Sequence, residues 1–166
     1  MDGRSDGGTG CGSCTLCCTL LGVAELDKPG DTPCAHCREG RGCAIYPSRP
    51  PGCRDFACAW LVGHEDGKRP DPALRPDRCH VVFHEPVGRG ANLIAHVDPD
   101  HPRAWAEGPA MTHVARIAAA GTTVAIHAGG RHYVVERGGV YQATVSARLP
   151  EGGIALARGR RIGRIA

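Results

Sequence analysis

The chain has 166 residues, of which 42% are hydrophobic and only 4% aromatic, and a formal net charge of +3. Such a length can bury one real core without disulfide staples, and the scarcity of aromatics means a core built from Ala, Val, Leu and Ile. With 24 Gly and 13 Pro the fold is expected to be loop-rich, and no stretch approaches the roughly 18 consecutive apolar residues of a membrane helix.

The opening "MDGRSDGGTG" (1–10) is polar, with no apolar stretch following it. It reads as a flexible N-terminus without a secretory signal, which points to a cytoplasmic protein. In a reducing compartment ten cysteines read as metal ligands or redox groups rather than as structural disulfides. Nine of the ten lie between Cys11 and Cys58, and Cys79 stands apart.

Residues 11–62 form a predicted cysteine-cluster metal-binding module. It begins with "CGSCTLCCTLL", which predicts a short helix with Ser13 as N-cap and Gly22 just past its end. On that helix Cys14, Cys17, Cys18 and Leu21 fall on one face, and the helix N-terminus favours the thiolate that binds metal. Cys11 lies one loop earlier and can fold back onto the same face. Neighbouring Cys17 and Cys18, about 100° apart on a helix, chelate a single tetrahedral ion poorly, so a polynuclear site or two adjacent sites fit better. Cys34 and Cys37 follow as C-x2-C, a spacing that presents two sulfurs from a tight turn. Cys43 comes next. "RPPG" then forces a turn, so Cys53 opens a second predicted helix with Cys58, Leu61 and Val62 on its later turn. Five basic residues balance five acidic ones between Cys11 and Val62 before any thiol ionises. Ionised thiols would therefore need backbone N–H groups and nearby arginines around them.

A Pro-rich connector (63–79) leads to a predicted α+β layer over residues 80–147. Strands are predicted at 80–85, 92–97, 122–128, 131–136 and 140–147, the last three forming a meander. Gly129-Gly130 supplies the positive φ of a two-residue hairpin turn. Between the second and third strands, "GPAMTHVARIAAAG" (108–121) reads as an amphipathic helix, with Pro109 near its start and Gly121 past its end. The expected fold class is α+β: a cysteine-rich metal-bound module with short helices, then a small antiparallel sheet with one helix. His80 and His84 share parity on one predicted strand beside Glu85, which makes them candidates for a separate histidine site. His96, His101, His113, His127 and His132 read as scattered. The stretch 148–166 is an Arg-rich tail, with Arg148, Arg158, Arg160, Arg161 and Arg164 against Glu151, and reads as a solvated end.

The strings "CGSCTLCC" and "GCAIYPSRPPGCRDFAC", joined by further cysteines, resemble the CxxCxxCC family, often called the YkgJ family, described as zinc- or iron-chelating cysteine-cluster proteins. The resemblance runs from Cys11 to about Trp60, and the rest of the chain lies outside it. It implies an eight-cysteine metal site, which falls here on Cys11, Cys14, Cys17, Cys18, Cys37, Cys43, Cys53 and Cys58. Cys34 is an alternative to Cys37. The resemblance names no substrate or reaction.

Zn2+ held by four thiolates in each of two adjacent sites would use all eight cysteines. Iron or a [4Fe-4S] cluster is the alternative, since Cys11, Cys14 and Cys17 have C-x2-C-x2-C spacing, although the Cys-Pro that would continue a bacterial ferredoxin pattern is missing. The corresponding functions are a metal-binding protein with a structural or metal-handling role, or an iron or iron-sulfur redox protein or enzyme component. A third is a zinc-stabilised nucleic-acid binder using the tail, although the tail lacks the aromatic interleaving of such binders. No phosphate loop, nucleophile elbow or dinucleotide fingerprint is present, and the sequence singles out no catalytic residue. The expected partners are metal ions, and a partner protein or a second copy of the chain could meet the α+β layer.

Overall fold

The computed structural model describes residues 11–65, 67–68, 70–86, 93–148 and 154–165. The N-terminus expected to be flexible (1–10) lies outside them. From Cys11 onward the chain first makes only short elements: α1 (Leu16–Leu20), the ribbon of β1 (Cys37–Arg38) and β2 (Gly42–Cys43), α2 (Pro51–Arg54) and α3 (Ala59–Glu65). Pro51 sits in the first turn of α2, where its missing N–H costs nothing. The Glu25 carboxylate accepts from the Gly52 N–H at 2.8 Å in that same turn.

Both predicted cysteine helices are corrected. α1 starts after Thr15 and makes no side-chain cap, because the Ser13 hydroxyl is engaged by the Arg75 guanidinium at 2.9 Å. Cys14 therefore lies ahead of the helix, its N–H donating to the Cys11 carbonyl at 2.9 Å, and only Cys17 and Cys18 are helical. The second helix is two, with Asp55 to Cys58 between α2 and α3. The break lets Phe56 turn edge-on to the His84 ring, 5.2 Å away. Cys58 caps α3, its carbonyl accepting from the Val62 N–H at 3.0 Å.

The connector carries α4 (Pro76–Cys79), and the layer beyond it comprises β3 (Val81–His84), β4 (Leu93–Val97), α5 (Gly108–Ala119), β5 (Val124–Ala128), β6 (Arg131–Glu136), β7 (Gly139–Arg148) and β8 (Ile154–Gly163). The six strands follow one another across the sheet in chain order. The expectation of an antiparallel sheet is corrected at one place. β4 and β5 pair in parallel, because the chain crosses over through α5 between them and returns in the same direction. β5 and β6 form the expected hairpin on Gly129 (φ 55°) and Gly130 (φ 77°), values of the left-handed region that a two-residue turn requires.

One face of the sheet carries the core. Ala110, Val114 and Ala118 recur every four residues on α5 and are buried against Leu93, Ala95 and Val97 of β4 and Val124, Ile126 and Ala128 of β5. Full burial of each Val or Ile side chain stabilises the fold by about 1.5–3 kcal/mol. The strand alternation sends the intervening residues, among them His84, Ile94, His96, Ala125 and His127, to the other face.

The Arg-rich stretch is not an unpaired tail over its described part. Ile154–Gly163 pairs antiparallel with β7 and forms the sheet edge. Arg158 reaches Glu136 at 2.6 Å and lies 4.7 Å over the Tyr141 ring, so its charge is spent on the sheet. No helix among the described residues is long and apolar enough to cross a membrane.

Candidate metal centre

All ten cysteines are free thiols. The turns of the N-terminal segment bring eight of them around one cleft, with Cys37 joined to it through Cys18. The Cys34 N–H donates to the Cys18 carbonyl at 3.0 Å, the Cys37 N–H donates to the Cys34 carbonyl at 2.9 Å in the predicted tight turn, and the ribbon sets Cys37 opposite Cys43. Arg75 holds the first loop in place by donating to the Cys11 carbonyl at 3.3 Å as well as to Ser13.

The thiols then meet as a chain. The single Cys17 S–H is shared between the sulfurs of Cys11 and Cys18, and the Cys37 S–H points to Cys18. The acceptors ionise more easily. The bond from Cys17 lowers Cys11 to about 7 and, aided by the bond from Cys37, lowers Cys18 to about 6, both from 9.0. Donating to Cys11 and then to Cys18 pushes the Cys17 thiol far up. Burial pushes up Cys14, Cys37, Cys53 and Cys58.

Two cations serve the lowered pair. Lys28 is the buried charged side chain of the described core. Its ammonium donates to the Thr19 carbonyl at 3.1 Å and to that of Leu21, at the end of α1, and to the Pro29 carbonyl at 3.1 Å. Its charge also favours the Cys18 thiolate. Arg49 acts on both Cys11 and Cys18, lies 3.7 Å over the Tyr46 ring, and keeps its buried Nε without a hydrogen-bond partner among the described residues. A buried donor without an acceptor suits a site that gains negative charge.

The thiols fall into two adjoining groups that share the wider cleft. Cys11, Cys14, Cys17 and Cys58 line that cleft and also surround a small apolar space closed by Trp60, Leu61 and Val82. Cys18, Cys34, Cys43 and Cys53 line the cleft alone and lie near enough to feel one another's charge. Cys37 joins the second group through Cys18. All eight residues matched by the resemblance, and Cys34, are thus gathered, while Cys79 is not. Its buried thiol donates to the Val81 carbonyl at 3.3 Å, and burial raises it to about 11.

As donors these residues fit a soft or borderline ion: the set is all sulfur, with two thiols eased toward thiolate and two cations beside them. The spacing is looser than a closed site. Four thiolates at about 2.3 Å from one zinc stand about 3.8 Å apart, whereas no three cysteine sulfurs among the described residues lie mutually within 4.8 Å. An ion would have to draw the sulfurs inward.

That 4.8 Å spacing is met instead by His80, Asp98 and His101. His80 Nδ1 lies 3.1 Å from Asp98 Oδ2, and the two imidazoles stack at 3.6 Å. The candidate pairing of His80 with His84 and Glu85 does not form. His80 precedes β3 in a left-handed conformation (φ 56°) and turns to Asp98, whereas His84 meets His96 across the sheet.

No family model, curated protein or solved structure matches the chain. The residues missed by sequence reading are Lys28, Arg49, Arg75 and, on the second sheet face, His96, His127 and His132, which join His84 there. For Lys28 the signal was its place among turn residues just after the predicted helix, where an ammonium can reach the last carbonyls.

Proposed function

We propose that this is a metal-binding cysteine-cluster protein whose residues 11–62 hold Zn2+ through thiolates at two adjacent sites, in a structural or metal-handling role. The observation that carries the reading is the division of the thiols. Cys11, Cys14, Cys17 and Cys58 surround one space, and Cys18, Cys43 and Cys53 with Cys37 or Cys34 gather beside it. Four donors on each side match what a tetrahedral all-thiolate zinc ion uses. Lys28 and Arg49 are placed to offset part of the negative charge that eight thiolates would leave on two divalent ions.

The family resemblance supports the same ligand set and leaves zinc and iron as the candidates. Zinc is favoured by two adjoining groups of four donors, whereas a single [4Fe-4S] cluster would leave half of the thiols without a role. The fate of the arginines weighs against the nucleic-acid reading, since Arg158 is committed to Glu136 and Arg161 to the Gly138 carbonyl at 2.6 Å. Protein purified anaerobically without added metal should be colourless and carry about two zinc ions per chain. A brown protein with iron and acid-labile sulfide would establish the iron-sulfur alternative instead.

A further inference from the structure

The face of the sheet turned away from α5 carries a row of histidines that the cysteine reading leaves unused. The strand register sets His96 opposite His127 and His127 opposite His132, across three neighbouring strands. His84, on the adjoining strand, reaches the same row. Its Nε2 lies 3.2 Å from His96 Nε2, and His127 Nδ1 lies 2.9 Å from His132 Nδ1. The rings of His96 and His127 stack between the two pairs at 5.0 Å. All four line the cleft whose other wall holds the thiols.

Two features distinguish the row from ordinary strand histidines. First, His84 Nδ1 lies 3.0 Å from the Glu85 carbonyl, which can only accept. That contact fixes the proton on Nδ1 and aims the Nε2 lone pair at His96, the arrangement that a carbonyl imposes on metal-binding imidazoles. Second, two imidazole nitrogens on one tetrahedral zinc ion lie about 3.3 Å apart, close to the spacing of the two pairs.

We propose that this row is a nitrogen-ligand site for a borderline divalent metal such as Zn2+, with His84 and His96 as one two-nitrogen clamp and His127 and His132 as a second. Exchangeable water from the open cleft completes each coordination shell, which makes the ion readily released. In the metal-free chain each close pair shares one proton as an N–H···N bond. Binding moves the His96 proton from Nε2 to Nδ1, and the proton shared by His127 and His132 to an Nε2, so no net proton is lost. The site stands whether or not the cysteines hold metal.

The test uses the full chain with whatever metal it carries after purification, labelled with 15N at histidine and titrated with Zn2+. The expected result is uptake of zinc beyond the amount already bound. The imidazole nitrogens of His84, His96, His127 and His132 should move on addition, while those of His113, on α5, stay still. His84→Gln should weaken the first clamp at least tenfold and leave the His127 and His132 response in place. No added zinc, zinc taken up with the four imidazoles unmoved, or unchanged affinity in folded His84→Gln would each overturn the proposal. Should that variant fail to fold, the wild-type nitrogen spectrum decides alone. Because the readout is on nitrogen, loss of the cysteine reading would leave it intact.

Discussion

At the scale of single residues, the cysteines differ in the proton each can give up. Cys11 and Cys18 accept hydrogen bonds from neighbouring thiols and sit at about 7 and about 6, whereas Cys79 is buried and sits at about 11. In metal-free protein at pH 7, where residues 11–62 are expected to open, iodoacetamide should modify the nine clustered cysteines quickly and Cys79, buried in the sheet half, last, read by mass spectrometry of peptides over time. A Cys79 rate equal to theirs would contradict its burial. The same contrast bears on the proposed ligation. Cys18→Ser should lower the metal content found by elemental analysis, because serine keeps its proton and binds zinc poorly, while Cys79→Ser should leave it unchanged. Lys28 is a third test. Replacing it with Met removes the donor to three carbonyls and a charge beside Cys18, and should cost the segment about 1–3 kcal/mol in denaturant titrations. The cysteines were legible in the sequence because each carries its chemistry in its own side chain. Lys28 and Arg49 were not, because their roles depend on which carbonyls and sulfurs the turns bring within reach.

At the scale of elements, the sheet is held by packing and the cysteine segment by turns. Ile126 is fully buried under α5, so Ile126→Ala should destabilise the layer by about 2–5 kcal/mol in urea unfolding followed by circular dichroism. The histidine row adds a pH dependence. His96 and His127 titrate near 3 and 4 in the folded chain against 6.5 when free, so the unfolded chain takes up protons first as pH falls. Stability of the metal-free layer is full above about pH 6.5 and falls below it, by up to about 1.4 kcal/mol per pH unit for each histidine until its folded value is reached. His96→Gln should flatten that slope, and a slope equal to wild type would show that burial does not keep His96 neutral. Alternation, the Gly129-Gly130 turn and the α5 pattern were all readable, since each is local. The row was hidden because it needs the register between strands. Part of that register was implicit: a two-residue turn after Ala128 places His127 opposite His132. The parallel β4–β5 pairing that adds His96 depends on how the crossover packs, which no local signal carries. The two short cysteine helices were read as longer for a similar reason, since Ser13 and Phe56 are drawn off by Arg75 and His84 from distant parts of the chain.

At the scale of the whole molecule, two halves with different sources of order share one cleft. The sheet and α5 bury a continuous apolar cluster, whereas the cysteine segment buries little beyond Cys14, Leu20 and the Lys28 side chain. Its elements are too short to hold themselves, so metal ligation is the source of order that the account assigns to it, an effect of roughly 10 kcal/mol in small metal-bound modules. Hydrogen exchange with and without complete metal removal tests that claim most directly, on one full-length sample. Chelation should erase protection across residues 11–62, including the Cys34 N–H bonded to Cys18 and the Ala44 N–H bonded to His36, while β3 to β7 keep theirs. Protection that persists in 11–62 after every metal ion is gone would contradict it, and would make the cysteines a packed core of thiols rather than ligands.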